Sequence, residues 1–196
     1  LGFPRGCIRN LFFLEETQKW SALEVMYEGS RSQEEITWEP MGVVANISAW
    51  NYPYFVGCNV LIPALLTGNA VMYKPSEYAT QTGSALVHLL HQAGVPTPLI
   101  QCVRGGGAVA RSLLSQDIHG VFFTGSLATG TKIAQQMAAR MVPVQLELGG
   151  KDALYICDDV DVEVAAKAAA DGAFYNTGQS CFSVERIYVH NSIIKE

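Results

Sequence analysis

From residue 43 onward the apolar positions change their period repeatedly. Short runs rich in β-branched residues, at 43–47, 70–73, 99–103, 120–123 and 144–148, alternate with stretches of helical spacing at 54–66, 80–93, 108–115 and 126–139. Strict alternation of strand and helix predicts parallel pairing through right-handed crossovers. The expected fold is α/β, an open doubly wound parallel sheet of about five strands, Rossmann-like, with helices on both faces. Gly68-Asn69 and Gly94-Val95-Pro96 follow two of the helical stretches, where a chain leaves a helix to re-enter a sheet. Ahead of this unit, Ile8, Leu11, Phe12 and Leu14 are spaced for an amphipathic helix, and a polar lead over 28–35 ends at Trp38. After Gly149-Gly150, an apolar strand at 153–156 and an alanine-rich helix at 162–174 read as the truncated start of a second α/β domain. The expected organisation is a helix and lead over 1–40, a dinucleotide-binding domain over 41–148 and the start of a further domain over 149–196.

Composition sharpens this picture. Apolar residues make up 49% of the 196 and charged residues 16%, which suits a sheet covered on both faces. No charged residue stands between Glu39 and Lys74, but Asn51-Tyr52-Pro53, Asn59, Pro63 and Gly68-Asn69 divide that stretch into pieces too short and polar for a bilayer span. No membrane partner is expected. A net charge of −5 without a basic stripe argues against nucleic acid. Cys7, Cys58, Cys102, Cys157 and Cys181 are far apart and read as reduced thiols of a cytoplasmic protein. His88 and His91 share a helical face but lack the further ligands of a metal site, so no metal is expected.

Candidate chemistry lies where strands run into loops, because ligands of open α/β sheets bind beyond the carboxyl ends of the strands. Asn51, Lys74, Gly105, Gly125-Ser126 and Glu147 all fall at or just past such ends. The segment FFTGSLATGTK, residues 122 to 132, has the two glycines of a phosphate loop. A nucleotide-hydrolysing P-loop places lysine directly after the second glycine. Here Thr131 comes first and Lys132 second, which turns the amine about 100° around a helix. Further on, NTGQSC, residues 176 to 181, sets Cys181 after a glycine-containing polar turn whose backbone amides could activate a thiol or hold an oxyanion. On pattern alone a buried structural cysteine is the other reading. In QLELGGK, residues 145 to 151, Glu147 alternates with Leu146 and Leu148 beside two glycines that permit close approach. A general base and an ordinary edge carboxylate both fit it.

Five motifs in order, AWNYP (49 to 53), KPSE (74 to 77), FTGS (123 to 126), ELGGK (147 to 151) and NTGQSC (176 to 181), resemble the aldehyde dehydrogenase superfamily of NAD(P)-dependent enzymes. The resemblance runs from about Trp38 to His190 and is specific in combination. It implies oxidation of an aldehyde to a carboxylic acid, with NAD as cofactor and NADP possible. It assigns Cys181 as nucleophile, Glu147 as the base that activates water, and Asn51 as a donor to the oxyanion. Around the cofactor it places Ile47, Ser48, Trp50, Asn51, Lys74, Glu77, Gly105, Gly125, Ser126, Leu148 and Gly149, with Lys74 and Glu77 on the adenosine ribose and Gly125-Ser126 facing the diphosphate at a helix N-terminus. FTGS then marks a looser phosphate site that needs no lysine. The family's full-length members are homo-oligomers.

Two departures stand out: Leu127 follows FTGS where a small polar residue is usual, and bulky Phe182 follows the cysteine. The family's chains are roughly twice as long, so the sequence is expected to be a fragment with reduced or no activity on its own. Two other readings compete. An acylating relative that passes its thioester to coenzyme A has no need of Glu147, and a nucleotide-binding remnant holds NAD without turnover.

Overall fold

A computed structural model describes residues 3–195, with side chains of the first helix described from residue 9 onward. Contacts divide it into two units: the chain up to Thr124 with Ala128–Glu147, and Gly125–Leu127 with the chain from Leu148.

The first unit begins with helix α1 (Phe3–Trp20) and a hairpin of β1 (Glu24–Glu28) and β2 (Gln33–Ile36). The side chains of Cys7 and Ile8 lie outside those described, while Leu11, Phe12 and Leu14 are each half exposed or more. The hairpin corrects the sequence reading, which took 28–35 as a polar lead. Every residue of both strands is exposed, so neither carries the alternating burial that marks a strand. The turn is closed by the Gly29 amide donating to the Ser32 carbonyl at 2.9 Å.

The remainder alternates as expected: β3 (Val43–Ile47), α2 (Pro53–Leu66), β4 (Ala70–Lys74), α3 (Thr80–Gln92), β5 (Ile100–Cys102), α4 (Gly107–Leu114), β6 (Gly120–Thr124), α5 (Leu127–Ala138) and β7 (Val144–Glu147). The strands form one parallel five-stranded sheet in the order β5-β4-β3-β6-β7. Chain order reverses at β3, so the crevice between β3 and β6 is the topological switch point of the sheet.

Burial explains the strand composition. Val44, Val71, Tyr73 and Ile100 pack with Leu61 and Ala64 of α2 and with Leu86 and Val87 of α3. The alternate row, Ala45, Ile47, Val121 and Phe123, is equally buried, so β3 and β6 are covered on both faces. Glycines let the helices approach. A Cβ on Gly57 would stand 2.7 Å from the Tyr73 hydroxyl, and Gly83 lies against the Pro75 ring. Asn46, buried among these apolar groups, donates from its side-chain amide to the Gly57 carbonyl at 3.2 Å. Asn69 plays the equivalent part at the opposite edge, accepting from the Gly42 amide at 3.0 Å and donating to the Thr67 hydroxyl at 2.9 Å. His91 of α3 donates from Nε2 to the Ile100 carbonyl at 3.1 Å, which gives it a structural partner.

The second unit contains β8 (Asp152–Ile156), α6 (Val162–Phe174) and β9 (Val184–Val189). β8 and β9 pair in parallel, and α6 starts at an Asp161 cap whose carboxylate accepts from the Val164 amide at 3.0 Å. The sequence reading found β8 and α6 but not β9, whose four central residues are all exposed. Among the described residues no helix is long and apolar enough to cross a membrane.

Tyr73 generates a pH prediction. Burial pushes its phenol up to about 12 from an ordinary 10.0. Between those values the unfolded chain has released the proton and the folded chain has not, so stability contributed by neutral Tyr73 is present below pH 10 and is lost as pH rises toward 12. A shift of that size corresponds to roughly 2–3 kcal/mol. Urea titrations across this range are expected to show a falling stability whose slope is shallower in Tyr73→Phe. An unchanged slope would show that the phenol is not the titrating group.

Candidate active site

Parallel pairing brings the carboxyl ends of all five strands to one edge of the first unit. Ile47, the last residue of β3, is in register with Lys74 of β4 on one side and Phe123 of β6 on the other. The Ser48 amide extends the ladder one step, donating to the Lys74 carbonyl at 3.0 Å, and Ser48 is itself buried. Trp50 is exposed, and Asn51 is half-buried just ahead of α2, where Pro53 starts the helix.

Lys74 is 3% exposed. A buried ammonium needs partners, and its Nζ donates to the Pro75 carbonyl at 3.1 Å and lies 3.7 Å from the Glu77 carboxylate. Glu77 stays half open to solvent. After β5 the chain passes Gly105 at φ +141° and reaches Gly106, the N-cap of α4. A Cβ on Gly106 would come within 3.9 Å of a Glu77 carboxylate oxygen, so the glycine loop and the carboxylate are neighbours. An open carboxylate acceptor, a cation fixed behind it and a flat glycine surface beside it suit a ribose carrying two hydroxyls. Lys74, Glu77 and Gly106 are thus residues that could hold the adenosine half of a dinucleotide.

Glu147 ends β7 opposite Thr124. It is exposed, accepts from the Gln145 side-chain amide at 3.3 Å, and shares its outward row with Gln145 while Leu146 turns inward. Between β6 and α5 stand only Gly125 and Ser126. The second glycine of the apparent phosphate loop, Gly130, is buried inside α5, and Lys132 points out of that helix. Gly130 is therefore a packing glycine, and the P-loop reading fails on structure as well as on order.

In the second unit, Leu148 is half-buried and Gly149 has open space where a Cβ would be. Gly150 lies directly against the Cys181 carbonyl, which a Cβ would strike. The cysteine is exposed at the end of a turn whose Asn176 (φ 51°), Thr177 (φ 58°) and Gly178 (φ 72°) are all left-handed. Beyond it the Ser183 amide donates to the Ser180 carbonyl at 3.2 Å, and the buried Ser183 hydroxyl donates to the Gly178 carbonyl at 3.3 Å. Phe182 is exposed beside the thiol, and Cys157 is a second exposed cysteine.

Comparison with known proteins gives this arrangement a family. The model of the aldehyde dehydrogenase family matches residues 6–196. The chain belongs to the aldehyde dehydrogenase family. A 4,4'-diapolycopene aldehyde oxidase of a Methylomonas species is 45% identical over 157 residues, which is 80% of this chain and 30% of that protein. Among solved structures, an aldehyde dehydrogenase of Mycobacterium tuberculosis complexed with NAD+ superposes with a TM-score of 0.85 at 35% identity, covering 90% of this chain and 37% of the other. A gamma-glutamyl-gamma-aminobutyraldehyde dehydrogenase from Burkholderia cenocepacia reaches a TM-score of 0.92 at 34% identity, covering 98% of this chain and 39% of the other. The chain thus spans about a third of the length of the aldehyde dehydrogenases it matches.

Three features escaped the sequence reading: the closeness of Gly106 to Glu77, the contact of Gly150 with Cys181, and the left-handed Thr177. GGG at 105–107 and GG at 149–150 were visible signals for the first two. Nothing in sequence marks a β-branched residue for left-handed backbone, which it ordinarily avoids. The two glycines of the aldehyde dehydrogenase ELGGK motif make a test. Gly150→Ala is expected to lower stability by about 1–3 kcal/mol through its collision with the Cys181 carbonyl, whereas Gly149→Ala should stay within about 0.5 kcal/mol of the parent. Calorimetric melting of both variants checks this; equal melting points would remove the proposed contact.

Proposed function

We propose that this chain carries the adenosine-binding edge and the nucleophile loop of an enzyme that oxidises an aldehyde to a carboxylic acid with NAD. The observation that carries the reading is an exposed Cys181, on a turn closed from both sides, in a chain of the aldehyde dehydrogenase family. Residues 41–148 are taken as the dinucleotide-binding domain and 149–196 as the start of the catalytic domain.

The chemistry follows from the residue types. The Cys181 thiolate attacks the aldehyde carbon; a C–S bond forms and the carbonyl electrons move to oxygen. The Asn51 amide and the Cys181 backbone N–H are the proposed donors to that oxyanion. When the C=O bond re-forms, the carbon loses a hydride, and a bound nicotinamide supplies the acceptor for it. The carbon is then oxidised to an acyl group held as a thioester on sulfur. Glu147 takes a proton from water, the resulting hydroxide adds to the thioester, and the C–S bond breaks to return thiolate and release the acid. The exposure of Glu147 suits a base that must meet water. The residues proposed to hold the cofactor are Ile47, Ser48, Trp50, Asn51, Lys74, Glu77, Gly105, Gly125, Ser126, Leu148 and Gly149.

Two measurements bear on these roles. In Glu147→Gln the acyl group is expected to remain on sulfur, so intact-mass spectrometry after incubation with NAD and an aldehyde should find it on the Cys181 peptide. Absence of the adduct in the variant, with turnover undiminished, would remove Glu147 from hydrolysis. For the cofactor, the Glu77 carboxylate accepts from ribose hydroxyls and repels a 2′-phosphate, so NAD is expected to bind at least about tenfold more tightly than NADP. Glu77→Gln should narrow that gap. Calorimetric titration of both at one salt concentration tests it, and equal affinities or tighter NADP would contradict the assignment.

A further inference from the structure

We infer that Thr177 and Gln179 are positioning residues for Cys181, using left-handed backbone locked by side-chain hydrogen bonds to hold the thiol in place. This rests on the reading of Cys181 as nucleophile and adds to it how the loop is fixed. Left-handed backbone disfavours an ordinary L-residue, and a β-branched residue there is a genuine outlier. Glycine would take the conformation of Thr177 without strain. The chain instead places threonine there, between Asn176 and Gly178, so three successive residues are left-handed.

What threonine supplies is a hydroxyl that donates and accepts at once. It donates to the Asn176 carbonyl at 2.6 Å and accepts from the Gln179 side-chain amide. The Gln179 backbone amide donates to the same Asn176 carbonyl at 3.1 Å. The Asn176 side-chain amide returns the link, donating to the Gln179 carbonyl at 3.3 Å. Residues 176 to 179 are thereby tied to one another by side chain and backbone, two residues upstream of the thiol. Downstream, the Ser183 hydroxyl reaches back to the Gly178 carbonyl, and on a third side Gly150 abuts the Cys181 carbonyl. The backbone of Cys181 is restrained from three directions while its side chain remains exposed. Local strain of this kind persists where the surroundings over-determine it, and it concentrates at functional sites. A thiol presented on a fixed backbone loses less freedom when it attacks, which raises the rate without any new contact to substrate.

The test separates positioning from stability. Thr177→Gly removes the strain and the lock together, Thr177→Val removes only the hydroxyl, and Thr177→Ser restores it. Measured on the full protein, Thr177→Gly should melt no lower than the parent, yet its amides at 178–183 should exchange faster and Cys181 alkylation by iodoacetamide should slow by roughly tenfold. Thr177→Val and Gln179→Ala should also slow alkylation, and Thr177→Ser should recover it to within about twofold. Unchanged exchange at 178–183 in Thr177→Gly would overturn the inference, as would faster exchange with unaltered Cys181 reactivity, or slower alkylation that serine does not rescue. If Cys181 of the parent reacts no faster than Cys157, the nucleophile assignment itself falls, whatever the exchange rates show about the loop.

Discussion

The central strand β3 is bonded on both sides, to β4 through Val43–Ile47 and to β6 through Val44–Ile47, and the geometry of the first unit descends from that double parallel ladder. Parallel pairing obliges each connection to return to the starting edge of the sheet, and α2, α3, α4 and α5 are those returns. It also puts every loop that follows a strand on one side. Ile47, Lys74, Cys102, Thr124 and Glu147 end their strands there, so residues distant in sequence are delivered to one edge without any long-range contact designed for each. The buried Lys74 shows how tightly that edge is made. Its amine is shut in behind Glu77, and the carboxylate alone faces outward beside Gly106.

Position in the second unit is achieved by different means. Cys181 follows no sheet end; it precedes β9 on a turn whose conformation runs against the preference of its own residues. A sheet edge is fixed by many backbone hydrogen bonds, each of modest net worth. The turn has only a few, and it compensates with interlocking side chains and a glycine that leaves room for its carbonyl. The sheet edge proposed to bind cofactor should consequently tolerate changes in exposed side chains, whereas the loop of Cys181 should be sensitive to the loss of one hydroxyl or the gain of one methyl.

Legibility in the sequence divides along the same line. The central strands β3, β4 and β6 were readable because burial on both faces leaves continuous apolar runs, the flanking β5 and β7 because short apolar runs recur between helical stretches, and α2 and α3 because glycines follow them. The hairpin of β1 and β2 and the strand β9 were not, since residues such as Glu34, Glu35, Glu185 and Arg186 are exposed and no periodicity in burial records the pairing. In the site, Lys74 and Gly105 were each placed at or just past a strand end, but only folding brings Glu77 beside Gly106. The left-handed Thr177 was illegible for a stronger reason: local propensity argues against it, and the conformation is visible only once Asn176 and Gln179 are seen closing around the hydroxyl.

FTGS and its neighbours show how one glycine pattern can mislead until burial is known. Gly125 stands between strand and helix, where a phosphate-binding turn belongs, and Gly130 stands within α5, where the missing side chain serves packing. Lys132 is on the outward face of the same helix, two positions past that glycine and beside the buried Ile133. A loop that cradled phosphate with both glycines would need the second one outside the helix and the amine turned toward the helix N-terminus. Here the helix has already begun at Leu127, directly after Gly125 and Ser126. The anion site proposed for this loop is the N-terminus of α5, where backbone amides and the helix dipole favour a diphosphate without a lysine.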